Sequence, residues 1–254
     1  MIPKIIHYCW LSNDPIPEEF QKYIESWKRH LIGYEFKLWT FDIFDKGSSL
    51  WVSQAFDAKK YAFATDFIRL YAVYHYGGIY MDMDIEVLKS FDDLLDRDLF
   101  FGYESPTLQW LEAGCFGTTK ENSFIGECLK YYDNRPFIKE DGNYDMLPLP
   151  QIITPIYKKI VKIEPFSFDY FTAKSLQTGE ITTTKNTYTI HHFAASWRED
   201  RWIKLRDFKY KLHRKHMPNF LKAILCNAYY NILSFQHHGV KGSLRKVVNK
   251  IKSK

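Results

Sequence analysis

YAFATDFIRLYAVYHYGGIYMDMDIEVLK, residues 61–89, is the stretch on which the fold turns. Phe63, Phe67, Leu70, Tyr71 and Tyr74 recur at helical spacing, which predicts a helix over Ala58 to Tyr76 with one buried face. Gly77-Gly78 ends it, because glycine takes the left-handed cap conformation without a side-chain clash. Ile79 to Met83 then reads as a buried strand running into Asp82-Met83-Asp84. Two carboxylates placed two apart at a sheet edge can face one side, where they repel each other unless a cation lies between them. Burying them without one costs several kcal/mol. Oxygen ligands suit Mg²⁺ or Mn²⁺, hard ions that commonly hold substrate phosphates as well.

A bare D-x-D triplet is weak evidence, since a chain with 17 aspartates holds about one by chance. A second, Asp96-Arg97-Asp98, lies in a polar stretch and reads as a solvated loop. On the preceding helix Asp66 and Arg69 are three apart and therefore neighbours. They form either an exposed ion pair worth under about 1 kcal/mol or, if turned inward, part of a site.

Upstream, Lys4 to Trp10 reads as a strand, Pro17 opens a helix to about His30, and Tyr34 to Trp39 alternates as a second strand. A β-α-β opening of this kind favours a parallel sheet and an α/β fold. Trp10 ends the first strand at the edge where ligands of open α/β sheets bind, and could stack on a base or simply pack in the core. Downstream, Phe100 to Tyr103 and Ala113 to Gly117 read as strands, Ser123 to Tyr132 as a helix, and the proline-rich Asp133 to Pro155 as loop. Tyr188 to Phe193 is a late strand in which His191 and His192 must face opposite sides, so at most one enters a given site.

The 254 residues suffice for one large domain, or one domain with a small appendage. Aromatics reach 18 %, and the four cysteines have neither zinc-binding spacing nor the density of a disulfide scaffold, so reduced thiols are expected. The first residues lack a signal-peptide hydrophobic region, and no apolar run is long enough to span a bilayer, so a cytoplasmic protein is expected. Charge is uneven: residues 203–254 carry 13 Lys/Arg against one acid, a balance of +12, leaving 22 basic and 29 acidic side chains, or −7, for the rest. Such a basic tail calls for a polyanionic partner. Phe220 to Phe235 (FLKAILCNAYYNILSF), flanked by Lys and Arg, suits the surface of an anionic membrane. No nucleic-acid-binding module is present, so nucleic acid is not expected as a partner; binding it through the tail is the competing reading from another class.

Three segments together carry a family resemblance: IPKIIHYCW (2–10), KKYAFATDFIRLYAVYHYGGIYMDMDIEVLKSFDDLL (59–95) and HHFAASW (191–197). Over roughly residues 2–200 the chain resembles glycosyltransferase family 32, which includes bacterial capsule and polysaccharide transferases and yeast mannosyltransferases and is related to clostridial glucosylating toxins. The resemblance implies a GT-A type fold, a Rossmann-like mixed and mostly parallel sheet flanked by helices. It also implies a nucleotide-sugar donor (a UDP-sugar favoured, GDP-mannose open), Mn²⁺ or Mg²⁺, and retention of anomeric configuration. Position by position, Trp10 resembles the base-stacking tryptophan, Asp66 and Arg69 the pair holding the donor sugar, and Asp82 the first motif acid near ribose and sugar. Asp84 resembles the direct metal ligand, and His192 or His191 with Ser196 and Trp197 the segment closing over metal and diphosphate. Ala113 to Gly117 would face the acceptor. The catalytic roles implied are charge stabilisation by the metal on Asp84, fixed positive charge from Arg69 and an indole N–H from Trp197, with same-face attack by the acceptor hydroxyl.

The expected layout is a catalytic domain at 1–202 and a basic helical extension at 203–254. The expected function is hexose transfer to a glycan acceptor, lipid-linked, in bacterial capsule or surface polysaccharide synthesis. The enzyme would sit in the cytoplasm, peripherally at the inner face of the plasma membrane. A protein acceptor and a metal-independent two-carboxylate hydrolase are the alternatives.

Overall fold

The computed structural model describes residues 1–12, 14–194, 200–215 and 217–234. In chain order the elements are β1 (Ile5–Cys9), α1 (Glu18–His30), β2 (Glu35–Trp39), α2 (Leu50–Asp57), α3 (Tyr61–Tyr76), β3 (Gly78–Met81), β4 (Ile85–Val87), β5 (Leu99–Phe100), β6 (Cys115–Thr118), α4 (Ser123–Lys130), α5 (Leu149–Ile160), β7 (Thr189–His191) and α6 (Asp200–His213), with α7 at 219–234. The chain divides into two compact units, one of residues 1–174 with 181–194, the other of 175–180 with 195–254.

In the first unit five strands form a sheet in the order β2-β1-β3-β6-β5. β1 pairs in parallel with β2 and β3, and β6 pairs antiparallel with β3 and β5, so only β6 runs against the rest. This is the mixed, mostly parallel α/β sheet expected of a GT-A type fold. Strand alternation splits its side chains between two cores. Ile6, Ile79, Met81, Phe100 and Cys115 pack with Phe20 and Trp27 of α1. Tyr80, Phe101 and Phe116 pack on the other face with the apolar sides of α2, α3, α4 and α5.

β4 and β7 make a separate antiparallel ribbon with Ile85 opposite His191. Helix α1 secures its outer edge: the buried Trp27 indole donates to Ile85 O at 2.6 Å, and Ser26 Oγ accepts from Val87 N at 3.0 Å. Buried backbone groups without partners are costly, so these two side chains stand in for a missing strand.

Several elements depart from the sequence expectations. The helix expected from Ala58 starts at Tyr61 as α3: Lys59 has φ 57°, which separates it from a further helix, α2, that the sequence reading did not expect and that Ser49 caps by accepting from Val52 N. The stretch read as loop to Pro155 ends inside α5, which begins at Leu149: Pro150 lies in its first turn, where a missing N–H is harmless, and Pro155 is accommodated inside the helix. The strand expected at Phe100–Tyr103 is only Leu99–Phe100. Asp82-Met83-Asp84 is a turn rather than a strand end, closed by Ile85 N donating to Asp82 O at 3.1 Å. The two aspartates therefore owe their common direction to that turn and not to strand alternation.

In the second unit, Phe208 of α6 stacks on Tyr229 of α7 with ring centroids 4.3 Å apart, and Tyr210 Oη donates to Leu176 O at 2.9 Å. No described helix is long and apolar enough to cross a membrane. The four cysteines are free.

Candidate functional site

The carboxyl ends of β1 and β3 lie side by side, and the residues that follow them shape the site. Oxygens of Asp82 and Asp84 and a ring nitrogen of His191 all lie within 4.8 Å of one another. Asp84 Oδ2 accepts from Ala194 N at 2.6 Å, while its Oδ1 is 3.5 Å from His191 Nε2. Pairing of β4 with β7 is what brings His191, far along the sequence, beside the D-x-D turn.

Arg69 reaches Asp82 from α3. Its Nη2 lies 3.3 Å from Asp82 Oδ1 and 3.2 Å from Asp66 Oδ1, and Nη1 donates to Ala113 O at 2.7 Å. The Asp66–Arg69 pair is thus buried and turned inward, with side-chain exposures of 12 % and 8 %. Tyr80 Oη donates to Asp82 Oδ1 at 2.8 Å and carries the guanidinium over its ring, 4.6 Å from the centroid.

Electrostatically the pocket is short of positive charge. Burial pushes Asp66 up to about 7 against the pull of Arg69. Burial also raises Asp82, Arg69 opposing and the Asp84 charge adding. Burial disfavours a charged imidazole, yet Glu112, Asp84 and Asp82 outweigh it and push His191 up to about 10. Two carboxylates and one imidazole in such an array are a donor set that fits Mn²⁺ or Mg²⁺, with the remaining positions left to water and phosphate oxygens. Gly114 keeps the space clear: a Cβ there would stand 2.8 Å from His191 Cε1 and 3.0 Å from Asp82 Oδ2.

Of the two histidines paired in the sequence analysis, only His191 meets the acids. His192 points the other way, which corrects its place among the metal ligands: Nε2 is 2.8 Å from Glu86 Oε2, and its ring stacks on Tyr23 at 4.7 Å. It borders a cleft of about 320 Å³ lined by Lys22, Arg29, His30 and Glu86. Trp10 stands at the same carboxyl edge as Asp82, half-buried against Phe20, with its indole N–H on Asp14 O at 2.7 Å. Ser196 and Trp197 lie outside the described residues. Asp96 and Asp98 are exposed in a loop.

Sequence reading missed Glu112, which is 1 % exposed beside His191. An acid alone inside the apolar run Trp110-Leu111-Glu112-Ala113-Gly114 was the available signal, since a buried carboxylate needs partners.

With this geometry in hand, known proteins bear on the chain. An inositol phosphoceramide mannosyltransferase of Schizosaccharomyces pombe is 34 % identical over 148 residues, 54 % of this chain and 46 % of its own length. A mannosyl phosphorylinositol ceramide synthase of Saccharomyces cerevisiae is 36 % identical over 145 residues, 54 % of this chain and 38 % of its own length. The chain thus spans less than half of the length of these curated relatives. Among solved structures, the PaToxG glycosyltransferase aligns with a TM-score of 0.49 at 21 % identity, over 63 % of this chain and 70 % of that one. Residues 17–101 match the family described as glycosyltransferase sugar-binding region containing DXD motif. That matched stretch takes in Asp66, Arg69 and the D-x-D triplet Asp82-Met83-Asp84, as well as the exposed Asp96-Arg97-Asp98.

Proposed function

We propose that this protein is a metal-dependent retaining glycosyltransferase that moves a hexose from a nucleotide-sugar to a glycan or lipid-linked glycan acceptor. The observation that carries the reading is the convergence of Asp82, Asp84 and His191 beside Arg69 at the carboxyl edge of the sheet, with Arg69 and both aspartates inside the matched residues 17–101. Mn²⁺ or Mg²⁺ on Asp82, Asp84 and His191 would supply Lewis-acid stabilisation of charge growing on the leaving diphosphate. Arg69 holds Asp82 in line, and Tyr80 fixes the same carboxylate through its hydroxyl. By the family resemblance, Trp10 would meet the donor base, Asp66 and Arg69 the sugar, and Ser196 and Trp197 the diphosphate. Same-face attack by the acceptor hydroxyl accounts for retention; a trapped glycosyl adduct on any Asp or Glu would contradict it.

UDP-sugars remain the first donors to try. The mannosyl-transferring names of the fungal relatives add GDP-mannose to the panel and support an acceptor anchored in lipid. Exposed Phe220, Ile224 and Ile232 on α7, within the basic tail, support docking on an anionic membrane. Sedimentation of the full chain with anionic vesicles, lost in neutral vesicles or high salt, is the expected result. A capsule or surface-polysaccharide role at the inner face of a bacterial plasma membrane is part of the proposal and draws on the family resemblance.

The decisive experiment is calorimetric titration of UDP, GDP and CMP, each with Mn²⁺ and with EDTA, into wild type and Asp84→Ala. Binding of one nucleotide that requires both Mn²⁺ and Asp84 is expected. Metal-independent binding, or none, would overturn the reading.

A further inference from the structure

We propose that Glu112 is the positioning residue of the metal site: it holds the His191 ring so that Nε2 faces Asp82 and Asp84. The inference rests on the reading of Asp82, Asp84 and His191 as a metal site, and concerns how that site is built. Glu112 Oε1 lies 3.0 Å from His191 Nδ1 and accepts from Gly114 N at 2.5 Å, while Oε2 lies 2.9 Å from Thr172 Oγ1. A carboxylate at Nδ1 fixes the hydrogen there and leaves the Nε2 lone pair free for an ion. Without it the ring keeps stacking by Phe193, 4.1 Å away, and the 3.5 Å contact of Nε2 with Asp84 Oδ1, neither of which fixes the Nδ1 side of the ring.

The surroundings are shaped for this one task. Glu112 has both oxygens engaged and is 1 % exposed, so it is not free to attack an anomeric carbon. A Cβ on Gly114 would lie 2.8 Å from both Glu112 Oε1 and His191 Cε1, so glycine is what lets the two side chains meet. Thr172 anchors the carboxylate from a third segment of chain.

The test is Mn²⁺ binding to the full chain without donor or acceptor, by calorimetry and by pulsed electron paramagnetic resonance. Nitrogen-14 modulation of the bound Mn²⁺ reports a coordinated imidazole. Glu112→Ala is expected to weaken Mn²⁺ about 10- to 100-fold, the range for losing a partner of a ligating histidine, and to lose the nitrogen modulation while Asp82 and Asp84 still hold the ion. Glu112→Gln keeps an acceptor for Nδ1–H, so it is expected to retain the modulation with a smaller, several-fold loss of affinity. Thr172→Val should fall between Glu112→Gln and wild type. Wild-type affinity and modulation in folded Glu112→Ala would overturn the proposal. If that variant does not fold, wild-type affinity in both Glu112→Gln and Thr172→Val overturns it instead. Failure of wild type itself to bind Mn²⁺, or of Asp84→Ala to weaken it, would count against the metal site and so is distinguishable.

Discussion

Arg69 grips Asp82 with both terminal nitrogens, Nη2 at 3.3 Å from Oδ1 and Nη1 at 3.4 Å from Oδ2. Its role is to hold an acid in place as well as to supply charge. Arg69→Met would remove the guanidinium that Asp66 and Asp82 share, and stability should fall by about 3–5 kcal/mol. Mn²⁺ replaces some of the missing charge, so it should raise the melting temperature of Arg69→Met more than that of wild type. Equal shifts in thermal melts would show that ion and arginine do not act on the same carboxylate.

The two D-x-D triplets should behave oppositely. Asp84→Asn removes an oxygen ligand and should abolish Mn²⁺-dependent nucleotide binding, as EDTA does with wild type. Asp96→Asn with Asp98→Asn alters an exposed loop and should leave binding and stability within about 0.5 kcal/mol of wild type. Nucleotide titrations on both variants check this.

Gly114→Ala should damage the site more than the fold. The added methyl meets Glu112, His191 and Asp82 all within 3.0 Å, whereas φ at Gly114 is not in the left-handed region. Mn²⁺ affinity is expected to drop at least about ten-fold, the scale for disturbing groups that orient a metal ligand, with a smaller change in the urea midpoint. Unchanged affinity would mean that the ring and carboxylate have room to move.

His7 sets a lower pH limit on stability. It is fully buried; its Nε2–H donates to Gly77 O at 2.7 Å, and Nδ1 accepts from the Trp39 indole at 3.1 Å. Protonating Nδ1 would oppose two donors. Burial, aided by Lys37 and opposed by the Gly77 bond, lowers His7 to about 4. The unfolded chain takes up this proton first, so the stabilisation is complete above pH 6.5 and is lost as pH falls toward 4. At pH 5 the loss should be about 2 kcal/mol. Urea midpoints of wild type and His7→Gln at pH 7 and 5 should converge at the lower pH.

What could be read from sequence was whatever is local. The helix–Gly-Gly–strand order, the Asp66–Arg69 pair and the D-x-D triplet all sit within a single short stretch, so periodicity and spacing exposed them. Glu112 escaped because its histidine is 79 residues away, and two tertiary contacts make them neighbours: the β4–β7 pairing and the bond from Asp82 N to Gly114 O. Alternation along β7 dictates that His191 and His192 part ways, but not which of them meets Asp84; pairing with Ile85 decides that. Helix α5 was hidden by Pro150 and Pro155, whose effect depends on position in the helix rather than on presence.

The ribbon of β4 and β7 also bears on when the site exists. Each strand is three residues long, and their meeting closes a loop of 106 residues between Glu86 and His192. Closing such a loop costs about 4 kcal/mol of chain entropy. During synthesis the aspartates emerge long before the histidine that completes their set. An ion bridging Asp84 and His191 would act as a clasp across that loop, adding about 2.7 kcal/mol at a hundred times its dissociation constant. Metal supply would then govern how firmly the last strand is fastened, and not only how fast sugar is transferred.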